Sequence, residues 1–174
     1  MSFSIHEASA PVFVATLTNM QAWMDKALAE GKSEAELVEA RLAPDMRAFA
    51  AQIQMTSDSA KGCIARLAGL EPPSMPDTET TFAELKARCQ RTIDFIQSVD
   101  AAAVEGAEDR EMVIKFPNGF GYRLTGRQYV TAFALPNFYF HATTAYALLR
   151  AAGVQVGKPD FLQHLGPPNI QPAA

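Results

Sequence analysis

At 174 residues, with 48% apolar and 20% charged side chains, the chain has the size and balance of one globular domain rather than of a disordered segment. Its net charge of −4 supplies no basic face for neutralising phosphates, which argues against a nucleic-acid partner. The most apolar stretch, Tyr129 to Phe140, falls well short of the ~20 residues needed to span a bilayer, so no membrane association is expected.

The first helix is predicted over Ser9 to Glu30, because Phe13, Leu17, Met20, Met24 and Ala27 recur at steps of four and three along one face. Pro11 falls in the first turn, where its missing N–H costs nothing, and Gly31 supplies the stop. Trp23 sits just off this stripe, either as a flank of the core or as part of a subunit contact. A short helix follows, with Ser33 and Glu36 spaced as a capping box, and ends before Pro44.

The second long helix is predicted to start at Pro44 and Asp45, with Met46, Phe49, Ile53, Thr56, Ala60, Ile64 and Leu67 as its buried stripe. Gly69 ends it, and Glu71-Pro72-Pro73-Ser74-Met75-Pro76 reads as a stiff loop. The third long helix begins at Thr81, which forms a capping box with Glu84. Phe82, Leu85, Cys89, Ile93 and Ile96 form its core face, and it ends near Val99. Cys63 and Cys89 both occupy apolar positions and read as reduced, buried hydrophobes, as suits a reducing cytoplasm. No basic stretch followed by an apolar run and small residues opens the chain, so no secretory leader is expected.

The period then changes. Met112, Ile114 and Phe116 alternate with Val113 and Lys115; Pro117-Asn118-Gly119 follows, and Phe120, Tyr122 and Leu124 alternate again. Asn-Gly between two alternating runs predicts a β-hairpin with positive φ at both turn residues. Glu108-Asp109-Arg110-Glu111, just before, reads as a solvated turn. Thr125 and Gln128 form a third capping box and open the last long helix, which runs to about Ala152 and stops at Gly153. This helix is apolar nearly all round and is expected to be the most buried. Pro136 in its middle removes one hydrogen bond, which predicts a kink and a freed Ala132 carbonyl. The tail, about 154–174, carries Pro159, Pro167, Pro168 and Pro172 and no regular pattern. The fold class is therefore all-α: a single domain over 1–174, built as a four-helix bundle with one short β-hairpin before the last helix.

Three blocks carry a family resemblance: Arg41-Leu42-Ala43-Pro44-Asp45-Met46, Asp58-Ser59-Ala60-Lys61-Gly62, and Phe133-Ala134-Leu135-Pro136-Asn137-Phe138-Tyr139-Phe140-His141. With the order of elements, they make the chain resemble the DinB/YfiT-like four-helix-bundle superfamily, and within it an uncharacterised bacterial domain-of-unknown-function branch. The resemblance implies a bundle that in many members holds zinc or nickel on three histidines, one from the second long helix and a His-x-x-x-His pair from the last. Some members use the metal to activate a small thiol against an electrophile. This chain has only His6, His141 and His164. His141 matches the second histidine of the pair, Asn137 stands at the first, and Asp58 or Ser59 stands at the position on the second helix.

Asn137 and His141 are four apart and share one face of the last helix. Two readings remain for them: a satisfied core network that sets helix register, or the floor of a ligand pocket that includes Ser59. Asp58 reads as a solvated ion pair with Lys61, or as a carboxylate serving a metal or a general base. Tyr129, Tyr139 and Tyr146 are core aromatics or donors into a pocket. His6 and His164 are expected at the surface, although a tail folding back would bring His164 to the bundle. Together these residues predict a small-ligand-binding or interaction module, a homodimer, with no cofactor. The alternative is a divergent metal- or thiol-dependent enzyme acting on small electrophiles, in which His141 with Asp58 would hold zinc or nickel.

Overall fold

The structure is a computed structural model and describes residues 4–170. The long helices are α1 (Ala10–Ala29), α3 (Phe49–Ala68), α4 (Phe82–Ser98) and α7 (Leu135–Ala151), with short α2 (Glu34–Glu39) and α5 (Ala101–Val104) between them. α1 packs on α4, α4 on α3, α3 on α7 and α7 back on α1, which closes a four-helix bundle. The predicted stripes form its core: Phe13, Leu17, Met20, Ile53, Leu67, Phe82, Leu85 and Cys89 are all fully buried.

α3 starts at Phe49, not at Pro44. Ala43-Pro44-Asp45-Met46 is instead a turn, with the Met46 N–H donating to the Ala43 carbonyl at 3.0 Å. Proline suits the second position of such a turn as well as it suits a helix start. Met46 accordingly stays half-buried outside the helix. Thr81 with Glu84 and Thr125 with Gln128 form complete capping boxes. Ser33 accepts from the Glu36 N–H, whereas the neighbouring Glu34 carboxylate reaches away to the Phe82 N–H and ties α2 to the start of α4.

Strands β1 (Glu111–Lys115) and β2 (Gly121–Thr125) pair antiparallel, with Lys115 opposite Gly121. The turn is not the two-residue Asn-Gly type. Gly119 N–H donates to the Phe116 carbonyl at 2.9 Å, and among the turn residues only Gly119 has positive φ, +85°. Pro117-Asn118-Gly119 therefore form a three-residue loop, a type I turn closed by a left-handed glycine. At the hairpin's exit, a Cβ on Gly126 would stand 1.9 Å from the Ala107 carbonyl oxygen. Only glycine lets the Gly126 and Arg127 N–H groups bond the Arg110 and Glu108 carbonyls, each at 2.8 Å.

After α6 (Gly126–Gln128) the last helix widens into a π-helical segment, Tyr129–Ala134, before α7. The Leu135 N–H bonds the Val130 carbonyl, five residues back. The wide turn lies directly before Pro136, so the lost bond falls where the ladder is already shifted. α7 is not the most buried helix: Tyr139 and Phe140 are 38% and 58% exposed. That place belongs to α3, which is flanked by α4 and α7 and also covered by α2 and α5; even its Gln52, Gln54, Ser57 and Lys61 are buried.

The tail is not irregular throughout. Val154 and Val156 are buried, and α8 (Lys158–Phe161) and a 3-10 turn (Gln163–Leu165) lie against α1. Trp23 is core: its indole N–H donates to the Asp160 carbonyl at 3.0 Å, and its ring stacks on Phe161. Asn19 Nδ2 donates to the Phe161 carbonyl and meets His164 Nδ1 at 3.0 Å, so the tail does return His164 to the bundle. Pro172 lies outside the described residues. No described helix is long and apolar enough to cross a membrane.

Candidate functional site

A polar seam joins α3 to the last helix. His141 Nδ1 meets Gln52 Oε1 at 2.8 Å, Asn137 Nδ2 donates to Ser59 Oγ at 2.6 Å, and Arg66 Nη1 donates to the Tyr129 hydroxyl at 3.2 Å. Gln52, Ser59 and Arg66 repeat every two turns of α3 and so share one face. Their partners run in reverse order, so the two helices are antiparallel. The two readings of Asn137 and His141 thus separate: both are hydrogen-bonded, but to residues two turns apart on α3, about 10 Å.

Ser59, Asn137 and Asp58 line one cleft of 260 Å³, together with Arg66, Tyr129 and Phe133, beneath Lys115 and Phe116 of the hairpin. His141 is not part of its lining. Tyr129 is 2% exposed, and burial pushes its hydroxyl up to about 12, so it stays a donor. The Arg66 guanidinium lies 5.9 Å from the Tyr129 ring centre, and Phe133 stacks on Tyr129 at 6.0 Å. The π-helical segment supplies this wall, since both Tyr129 and Phe133 belong to it. A larger hollow of 550 Å³ opens beside Ser4, Glu108, Asp109 and Arg127, and none of the residues singled out from sequence for a pocket lines it.

His141 sits in a defined protonation state. Gln52 Nε2 donates to the Arg47 carbonyl at 3.0 Å, which turns Gln52 Oε1 toward the imidazole. An oxygen there requires the proton on Nδ1, and the Nε2 lone pair of the neutral ring has no partner among the described residues. Burial holds the His141 pKa below its ordinary value, which favours this neutral form.

Asp58 does pair with Lys61, at 2.8 Å, but it is more than a solvated ion pair. The same oxygen accepts from Arg88 Nη2 at 2.8 Å, and Arg88 is fully buried. Arg88 also reaches Glu79 Oε1 at 3.1 Å, Asp77 at 3.0 Å, the Pro76 carbonyl at 3.3 Å and Ser57 Oγ at 3.2 Å. Burial alone would lower the Arg88 pKa; Asp58 and Glu79 outweigh it and hold it above the ordinary value. Burial would likewise raise the Glu79 carboxyl, but its backbone, Gln54 and Arg88 hold it below the usual range. This cluster fastens the proline-rich loop to α3 and α4. Sequence reasoning missed it, although Leu85, Arg88 and Thr92 at steps of three and four share one helix face and signalled an arginine on the core side.

Cys63 and Cys89 are free and buried, and burial pushes both thiols up to about 12. Tyr146 donates weakly to the Val156 carbonyl at 3.4 Å and packs edge-on against Trp23, away from the cleft. The donors do not fit the three-histidine metal site. Asn137 is spent on Ser59, Asp58 on Arg88 and Lys61, and His141 points its Nδ1 at Gln52. Among the described residues no group of three His, Cys, Asp or Glu is placed to hold a metal.

Residues 5–162 match the family model described as "Domain of unknown function (DUF1993)". The structure is similar to the crystal structure of a DinB family member protein from Shewanella denitrificans, with 33% identity and a TM-score of 0.83 over 97% of this chain and 96% of that one. No curated protein matches the chain.

Proposed function

The chain belongs to the DinB-like family described as a domain of unknown function (DUF1993), and from that premise we propose that it is a small-ligand-binding module that works through the cleft between α3 and the π-helical segment. One observation carries the reading. The cleft brings Ser59, Asn137, Arg66 and the Tyr129 hydroxyl together between aromatic walls, and several of their hydrogen-bonding positions have no partner among the described residues. Binding sites characteristically combine an apolar lining with a few convergent polar groups. At 260 Å³ the cleft lies just under the ~300 Å³ of the smallest drug-sized pockets, so it suits a molecule of one ring. Titration of the ¹³C-aromatic-labelled protein with a panel of one-ring compounds, charged and neutral, tests this. Shifts concentrated at Tyr129, Phe133 and Phe116, abolished in Asn137→Leu, are expected; a panel that perturbs none of these rings removes the proposal.

A second reading is a divergent metal- or thiol-dependent transferase, and the uncommitted Nε2 of a neutral His141 favours it. Stoichiometric zinc or nickel in the purified protein, lost in His141→Ala, would establish it over the first. We also propose a homodimer formed through α7, where Phe140 is 58% exposed. Light scattering that finds a monomer at every concentration removes that part.

A further inference from the structure

The polar groups of the cleft are unequal in number, and the inequality selects a ligand. Arg66 uses only Nη1, which donates to the Gly62 carbonyl and the Tyr129 oxygen, both at 3.2 Å. Its Nε and Nη2 donors, adjacent in one plane, have no partner among the described residues. Tyr129 accepts from Arg66, so its own proton has no acceptor among the described residues, on a residue 2% exposed. Against these donors stand the Asn137 carbonyl oxygen and Asp58, whose charge is already countered by Lys61 and Arg88.

We propose that the ligand is a small aromatic carboxylic acid, with its carboxylate held by Arg66 and Tyr129 and its ring laid against Phe133 and Phe116. This rests on the ligand-binding reading above and adds to it the ligand's charge and shape. A planar guanidinium edge with two parallel N–H groups matches a carboxylate in two-point geometry. The phenol adds a third donor to the same oxygens. Phe133 is the hub of the aromatic wall, 6.0 Å from Tyr129, 6.2 Å from Tyr122 and 6.4 Å from Phe116, so a flat ring has faces and edges to pack on.

Calorimetric titration of the full chain with benzoate, benzamide and inorganic phosphate tests the assignment. Benzoate is expected to bind at least tenfold more tightly than either of the other two. Arg66→Met should weaken benzoate at least tenfold and benzamide by a much smaller factor, and Arg66→Lys should recover only part of the loss. Benzamide binding as well as benzoate would overturn the acid while leaving a ring-binding cleft. Phosphate binding as well as benzoate would overturn the aromatic half. If none of the three binds, both this assignment and the ligand-binding reading fall.

Discussion

Gln52 decides which nitrogen of His141 carries the proton. Its amide is oriented by the Arg47 carbonyl, so its oxygen accepts from Nδ1 at 2.8 Å. In a ¹⁵N spectrum His141 is therefore expected as a single Nδ1–H tautomer, and Gln52→Leu should convert it to a mixture dominated by the other form. Because the folded protein holds this pKa below 6.5, the unfolded chain takes up the proton first as pH falls. The stabilisation is present above 6.5 and is lost as pH drops below it toward the folded value. His141→Gln should remove that slope, measured as urea midpoints across the interval.

Arg88 and Asp77 should respond very differently to mutation. Arg88→Met leaves Glu79, 6% exposed, with only the half-exposed Arg91 at 3.6 Å for a cation, which should cost ~3 kcal/mol in denaturant unfolding. Asp77→Asn removes a carboxylate 59% exposed and should cost under ~1 kcal/mol. The acid profile changes with the first variant. Glu79 is held low in the folded state, so its stabilisation is present above 4.5 and disappears as pH falls through its folded value. Without Arg88 that acid loss should flatten; an unchanged profile would show that the arginine does not govern Glu79.

Trp23 is the chain's single tryptophan, and the tail covers it. Truncation after Gly157 should move its emission to longer wavelength and make it accessible to acrylamide. Phe161→Ala should give part of the same shift, because it removes the stacked ring and leaves the backbone contact at Asp160. Emission unchanged on truncation would mean that α1 and α7 shield the indole without help.

Cys63 and Cys89 should be inert in the native state. Both are buried, with thiols pushed up to about 12, so almost no thiolate exists at neutral pH. A disulfide reagent should modify them only at the rate of unfolding; a fast phase at pH 7.5 would contradict the burial.

Local rules made much of this fold legible. The apolar stripes at Phe13–Leu17, Ile53–Ala60 and Phe82–Cys89, the Thr81 and Thr125 caps and the alternating hairpin strands all depend on neighbours in sequence, and they appear where periodicity places them. The pocket expected around His141, Asn137 and Ser59 followed from two helix faces; the structure joins Asn137 to Ser59 and leaves His141 outside the cleft. What remained hidden depends on distant partners. A proline after a short helix serves a turn or a helix start equally, so Pro44 misled. Asp58 looks solvated on its own helix and is claimed by Arg88 from another. The tail's order comes from Trp23 and Asn19 on α1, which no local pattern in 158–165 encodes. The Asn-Gly pair became a three-residue loop because Pro117 before it favours a type I turn.

The wide coil at Tyr129–Ala134 makes the last helix one residue richer than a regular ladder would allow. Each residue added to a regular helix turns everything beyond it by roughly 100°, but the five-back bonding here takes up the extra residue within the coil, so the helix on either side keeps its bearing. The coil is thus a place where the last helix can change length without losing register, whereas a residue lost between Asn137 and His141 would turn one of them away from α3.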